Sequence, residues 1–458
     1  MPQPDTPPPP AAPVGRFVDL FAGCGGFSLG LMQAGWQGLF AIEKDKHAFA
    51  TLSHNLLGER SGFTYAWPDW LPQEPIEIAA LNRRYWAKLR SLRGTVDLLV
   101  GGPPCQGYSF AGLRKRDDHR NQLVGRYLAA VDQLHPTVVL LENVRGIEVE
   151  FGRARRGMAP KRGRRPEAHS ERLRRRLQER GYKVFTTEVR AVDCGVPQQR
   201  PRFILIGVRE DAVPAGQEIP DPFCRGGIYE HQRAAFLQAR GLPLDRPVSV
   251  REALSDLETQ VAGARLEPYP DWPSYQRLVY ARPLTQYQEI LRSGAGDEPP
   301  NSMRLVNHRA PTRERFARML RECRKGVCLS AGERRVYGVE NKNVFVIFDP
   351  EQPAHTLTTL PDDFLHYAEP RILTVREYAR LQAFPDWFAF KGKYTTGGPS
   401  RTKEAPRYTQ VGNAVSPFVA EVLGNVAREI LESLTPALAR ADCAPDIPAP
   451  LGSDLAAA

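Results

Sequence analysis

The sequence predicts an α/β protein with a mostly parallel sheet and a smaller, irregular second domain. Three observations predict it. From residue 16 to residue 209, short apolar runs alternate with helical stretches, as expected for strands joined by crossover helices on both faces of a sheet. The first run ends in a glycine-rich turn, residues 22–26. Residues 210–370 then lose the alternation and are rich in Pro, Arg and aromatic side chains.

The elements follow in order. Residues 1–13 are a Pro-rich lead-in with no means of building a core and are expected to be disordered. The apolar runs 17–21, 39–43, 96–100, 137–141, 184–189 and 203–208 read as strands. Residues 14–209 therefore form the main domain, carrying a basic insert at 152–170, and residues 210–370 a second domain. Residues 371–434 return to the first. There Ser416 is placed as an N-cap, with Pro417 at the first helical position. Phe418, Val419, Val422, Leu423, Val426 and Ile430 make one apolar helix face. Residues 435–458 are an Ala/Pro tail, again expected to be disordered.

Composition bounds the function. The chain has 458 residues, 42% of them hydrophobic, enough for more than one domain. No apolar run approaches the roughly 20 residues that span a bilayer, and the N-terminus lacks an export pattern. The expectation is a cytoplasmic protein with no membrane partner. Seven cysteines lack paired spacing. Cys323 and Cys328 have no second pair at zinc-ligand spacing, so no metal is expected. Residues 152–180 hold 12 Lys/Arg against three acids, a net of +9 in a chain whose total is +10. So concentrated a block suits a polyanion, although a solvated insert has the same composition.

Four constellations carry chemistry. Pro103-Pro104-Cys105-Gln106 follows the run 96–100 and its glycine turn. A thiol there stands at the carboxyl end of a strand, where open α/β sheets bind ligands, and two prolines stiffen the loop that presents it. Asp19-Leu20-Phe21-Ala22-Gly23-Cys24-Gly25-Gly26 is a strand, a turn and a helix start. Its glycines let a ligand approach the backbone, but the spacing departs from G-x-G-x-x-G, which counts against a nicotinamide enzyme. Glu43 ends the next strand, 20 residues beyond Gly23, a distance at which an acid can hold ribose hydroxyls. Glu142-Asn143-Val144 emerges at the same sheet edge as Cys105, as a proton donor or as a plain capping carboxylate. Arg200 and Arg202 fall on one face of an extended segment, able to orient Glu142 and grip a nucleotide or simply to face solvent. Gly412-Asn413 forms a turn before the last helix.

Taken in this order, these segments resemble the DNA cytosine-5 methyltransferase family, over roughly residues 16–209 and 370–432. Residues 19–26 resemble its cofactor motif, 103–109 its nucleophile motif, and Glu142-Asn143-Val144 its acid motif. Gln198, Arg200 and Arg202 match its Q-x-R-x-R motif, 376–385 its ninth and 412–415 its last. The resemblance implies a Rossmann-like domain that uses S-adenosylmethionine and a target-recognition domain at 210–370 that reads bases. It implies Cys105, Glu142, Arg200 and Arg202 as catalytic residues. Phe21, Gly23, Gly25, Gly26, Glu43, Pro103 and Asn413 would bind the cofactor. The long stretch between Glu43 and Pro103 departs from the simplest members; Asp69 is assigned there to the adenine amine. The implied partner is double-stranded DNA, recognised at a specific site. A cognate restriction endonuclease is a candidate second partner, and a monomer is the family default. A transfer-RNA cytosine methyltransferase shares two of these motifs, but the 160-residue variable region exceeds what such relatives carry. A non-catalytic DNA-binding paralogue would have no need of the intact Cys105, Glu142, Arg200 and Arg202. The segment 355–359 resembles an element near the end of the variable region.

Overall fold

The computed structural model describes residues 13–58, 62–103, 122–148, 168–270, 272–296, 299–396 and 403–434. Cys105 with its loop, residues 152–167 of the basic insert, nearly all of the lead-in and the tail lie outside the described residues.

The expected strands form. In chain order come β1 (Arg16–Leu20), α1 (Gly26–Gln33), β2 (Gln37–Ile42), α2 (Lys46–Leu56), α3 (Ile78–Arg84), α4 (Trp86–Ser91) and β3 (Leu98–Gly101). Then follow α5 (Gln122–Leu134), β4 (Val138–Asn143), α6 (His169–Gln178), β5 (Tyr182–Arg190), a short β6 (Gln198–Gln199) and β7 (Pro201–Arg209). One six-stranded sheet has the order β2-β1-β3-β4-β7-β5. Its first four strands are parallel, and β7 runs antiparallel to both β4 and β5.

The apolar runs were legible because the sheet is buried on both faces. Successive side chains of a strand point to opposite sides. Phe17, Leu98, Val100, Val138, Leu140 and Ile204 thus enter one core. Val18, Leu20, Leu99, Val139, Leu141 and Leu205 enter another, with Leu81 of α3, Leu128 of α5 and Leu173 of α6.

The region 210–370, expected as a second, irregular domain, carries short regular elements. It contains α7 (Ile228–Ala239), α8 (Val250–Leu254), β8 (Arg265–Tyr269), β9 (Trp272–Val279), α9 (Gln286–Arg292), α10 (Ala310–Glu322) and α11 (Ala331–Val336). Three two-residue strands follow, β10 (Val346–Ile347), β11 (Ala354–His355) and β12 (Phe364–Leu365). Phe236, Leu237, Val250, Leu254, Tyr287 and Leu291 belong to the first core of the main domain. A separate small core, with Phe316, Met319, Leu329, Phe345, Ile347, Leu365 and Ile372, begins only beyond Met303. Periodicity was weak because the helices bury little: α10 buries only Phe316 and Met319, and α11 buries nothing.

The chain then returns through α12 (Val375–Arg380), α13 (Arg407–Asn413) and α14 (Pro417–Leu434). Helix α14 lies on α1, and the contact is close because Gly30 has no side chain. A Cβ there would stand 2.3 Å from Pro417 O and 2.5 Å from Ala420 Cβ. Trp36 Nε1 also donates to Gly424 O (3.0 Å). Ser416 does precede α14, but its buried hydroxyl bonds none of the described residues. It therefore does not act as the side-chain cap expected.

Candidate active site

The carboxyl ends of β1, β2, β3 and β4 bring the candidate residues to one edge of the sheet. At the end of β1 the chain turns through Phe21 (φ 65°), Gly23 (φ 58°) and Gly25 (φ 97°), all in the left-handed region that glycine tolerates and Phe seldom adopts. Around Gly23 nothing lies within 4 Å of where a Cβ would be, so the turn opens onto free space. Gly26 has the opposite role. Its missing Cβ makes room for Val415 O, which would be 2.3 Å away.

Glu43 braces this turn from the end of β2. Its carboxylate accepts from the N–H of Gly23 (3.0 Å) and of Asp45 (2.7 Å). Burial raises its pKa, against the pull of those two donors. Asp45 caps α2 through the N–H groups of His47 and Ala48 (both 2.9 Å) and accepts from Ala405 N–H (2.9 Å). The returning chain is thereby tied beside Glu43. Below the turn, Tyr65 donates to Ser28 Oγ (2.5 Å) and Ser28 to Asp19 (2.6 Å). Burial pushes Asp19 up to about 7. Sequence reading missed this chain of hydroxyls, since Ser28 and Tyr65 carry no motif. Burial also pushes the Cys24 thiol up to about 12, which removes it as a rival nucleophile.

On the next two strands, Glu142 and Arg202 face each other with Arg202 Nε 2.7 Å from Glu142 Oε1, each side chain only 12% exposed. The second carboxylate oxygen borders Gly102, 3.3 Å from where a Cβ would be. The adjacent Asn143 is buried, and its Nδ2 donates to Pro103 O (2.9 Å). The root of the Cys105 loop is therefore fastened next to the acid. No role for Asn143 was read from the sequence, because its partner is a backbone carbonyl.

Arg200 does not share this task, contrary to the expectation that both arginines orient Glu142. It is buried and donates to Gly412 O (2.9 Å) and Ala414 O (3.1 Å), anchoring the last motif to the sheet. Gln198 complements it, donating to Leu381 O (2.9 Å) and accepting from Leu357 N–H (2.9 Å). Asn413, between the two anchored carbonyls, is exposed. Asp69 is exposed in a turn closed by Leu71 N–H to Pro68 O (3.0 Å) and bonds none of the other candidates. Among the described residues, no cluster of three His, Cys, Asp or Glu is placed to hold a metal ion, and no helix is long and apolar enough to cross a membrane.

A mostly parallel sheet with an open glycine turn, a braced acid and a Glu–Arg pair at one edge is a Rossmann-like fold with its candidate site at the strand ends. Residues 15–429 match the sequence profile of the C-5 cytosine-specific DNA methylases, and the chain belongs to that family. It is a DNA cytosine-5 methyltransferase. It is similar to the Type II methyltransferase M.DdeI of Desulfomicrobium norvegicum, at 30% identity over 89% of this chain and 87% of that one. It is also similar to M.XorII of Xanthomonas oryzae, at 29% over 90% and 84%. In fold it resembles a protein named as a DNA modification methyltransferase encoded within an Escherichia coli prophage. That likeness has a TM-score of 0.61 at 23% identity, covering 91% of this chain and 99% of the other.

Proposed function

We propose that this enzyme methylates C5 of a cytosine flipped out of a specific duplex DNA site, through a covalent bond between Cys105 and C6, as the modification partner of a restriction endonuclease. The supporting observation is the fastening together of acid and nucleophile loop: Glu142 held by Arg202 at 2.7 Å, and Asn143 holding Pro103 O at 2.9 Å. The similarity to Type II methyltransferases across most of both chains supports the restriction–modification role.

The residues at the strand ends fit S-adenosylmethionine. The open space at Gly23 admits a ligand to the backbone, and the braced Glu43 carboxylate suits ribose hydroxyls. Phe21, Gly25 and Pro103 border the same edge, and Asn413 lies between the two carbonyls that Arg200 anchors. When bound, this cofactor supplies an electrophilic methyl group.

The remaining steps belong to the protein. Cytosine C5 is a weak nucleophile while the ring is aromatic. A base taken out of the stack would meet the Cys105 thiolate, which adds to C6. The electron pair of the C5–C6 bond moves into the ring as Glu142 hydrogen-bonds or protonates N3, and C5 becomes nucleophilic. Arg202 keeps Glu142 oriented and lies within reach of the base O2. After methylation, loss of the C5 proton restores the double bond and expels the thiolate.

Duplex DNA carrying 5-fluorocytosine tests this, because fluorine at C5 cannot leave as a proton. With S-adenosylmethionine, the wild-type chain should give a denaturation-stable complex of one protein and one duplex. Cys105→Ser should give none while still binding DNA. A stable complex with the serine variant would sink the nucleophile assignment.

A further inference from the structure

The basic block at 152–180 is not the one basic concentration in this chain. Residues 309–335 carry nine Lys/Arg against three Glu, so the two segments together hold more positive charge than the whole protein shows. We infer that the exposed face of α10, with the loop that leads to α11, is a contact surface for the DNA phosphate backbone.

The charges are free to act. Arg309, Arg313, Arg321, Arg324 and Arg335 are exposed and make no ion pair with the described residues. The three carboxylates are engaged elsewhere or outnumbered. Glu322 pairs with Arg318 (2.9 Å) and accepts from Tyr337 (2.8 Å). Glu333 closes a capping box on Ser330 at the start of α11. Only Glu314 is left among them. A solvated helix face ordinarily mixes its signs through i, i+4 pairs, and α10 and its loop do so only once.

The platform is rigid and correctly placed. Phe316 and Met319 root α10 in the small core. Next to Arg324 and Lys325, the carbonyl of Gly326 accepts from His355 Nε2 (2.9 Å). His355 pairs with Gln199 in β11–β6. Three residues on from Gln199 stands Arg202, bonded to Glu142, a strand distance of about 10 Å. The basic loop therefore adjoins the wall of the catalytic edge. Duplex DNA carries one charge per roughly 1.7 Å of axis, so a helix delivering a base to Glu142 must run its phosphates past nearby surface. Such contacts would fix register and carry no sequence information.

The inference rests on the family's DNA substrate and is tested apart from the chemistry. Binding of the full-length chain to labelled duplexes, with and without its methylation site, is measured by fluorescence anisotropy between about 50 and 200 mM salt. The triple variant Arg313→Gln, Arg321→Gln, Arg324→Gln should flatten the log–log salt slope by about 2 to 3 and weaken both duplexes equally. The corresponding triple Lys variant should keep the wild-type slope. An unchanged slope in the Gln variant, or a loss confined to one duplex, would overturn the proposal and leave the proposed reaction standing. A wild-type chain that binds no duplex DNA would overturn both.

Discussion

Arg200 and Arg202 are two residues apart, and in an extended chain their side chains should share a face. Their environments separate them. Arg202 on β7 reaches Glu142 on the neighbouring β4, whereas Arg200 turns under the returning chain to carbonyls more than 200 residues further along the sequence. Their losses should differ accordingly. Glu142→Gln removes the proposed proton donor while keeping shape, and kcat should fall about 10²- to 10⁴-fold with DNA affinity nearly unchanged. Arg200→Ala leaves the carbonyl of Gly412 buried without its Arg200 donor and that of Ala414 with only a long hydrogen bond from Gln382 (3.5 Å). It should cost about 2 kcal/mol of stability, visible in denaturant unfolding before any kinetic measurement. If Arg200→Ala unfolded like wild type, the anchoring role would be wrong. The positions of Glu142, Arg202 and Glu43 at the sheet edge were legible because each ends, directly follows or directly precedes an apolar run. The duty of Arg200 was not, because nothing local in the sequence names a backbone carbonyl so distant.

Between elements, glycines do two different jobs that sequence alone does not separate. Gly30 and Gly26 let α14 and its approach come against α1, whereas Gly23 leaves open space at a positive φ. Gly30→Ala should force α1 and α14 apart and cost about 1–3 kcal/mol, with cofactor affinity little changed in the folded fraction. Gly23→Ala meets no neighbour; it carries only about 1 kcal/mol of backbone strain and should mainly weaken S-adenosylmethionine binding, read by calorimetry. Equal losses of cofactor affinity in both variants would contradict this division. The strands were foreseeable to within a residue or two because both sheet faces are buried. Helices α10 and α11 were not, since their solvent-facing arginines mask a two-residue apolar stripe in one and no stripe in the other. Ser416 shows a similar limit: the cap residue type and its position were right, yet its hydroxyl caps nothing.

Across the whole molecule, the chain leaves the main core for a small one after Met303 and then returns to the main core. Arg200, Gln198 and Asp45 each fasten a stretch of chain beyond residue 350 to the amino-terminal sheet or its helices. The family match, residues 15–429, accordingly takes in both the amino-terminal sheet and the returning chain. The positive charge gathers in the insert and around α10, as a protein that must approach a polyanion requires. Site-specific C5 methylation of DNA is tested most directly by bisulfite sequencing of genomic DNA from a bacterial host lacking cytosine methylation that expresses the full chain. Methylcytosine confined to one short motif, and absent with Cys105→Ser, is the result expected. A soluble, folded protein that leaves no methylcytosine in DNA would contradict it.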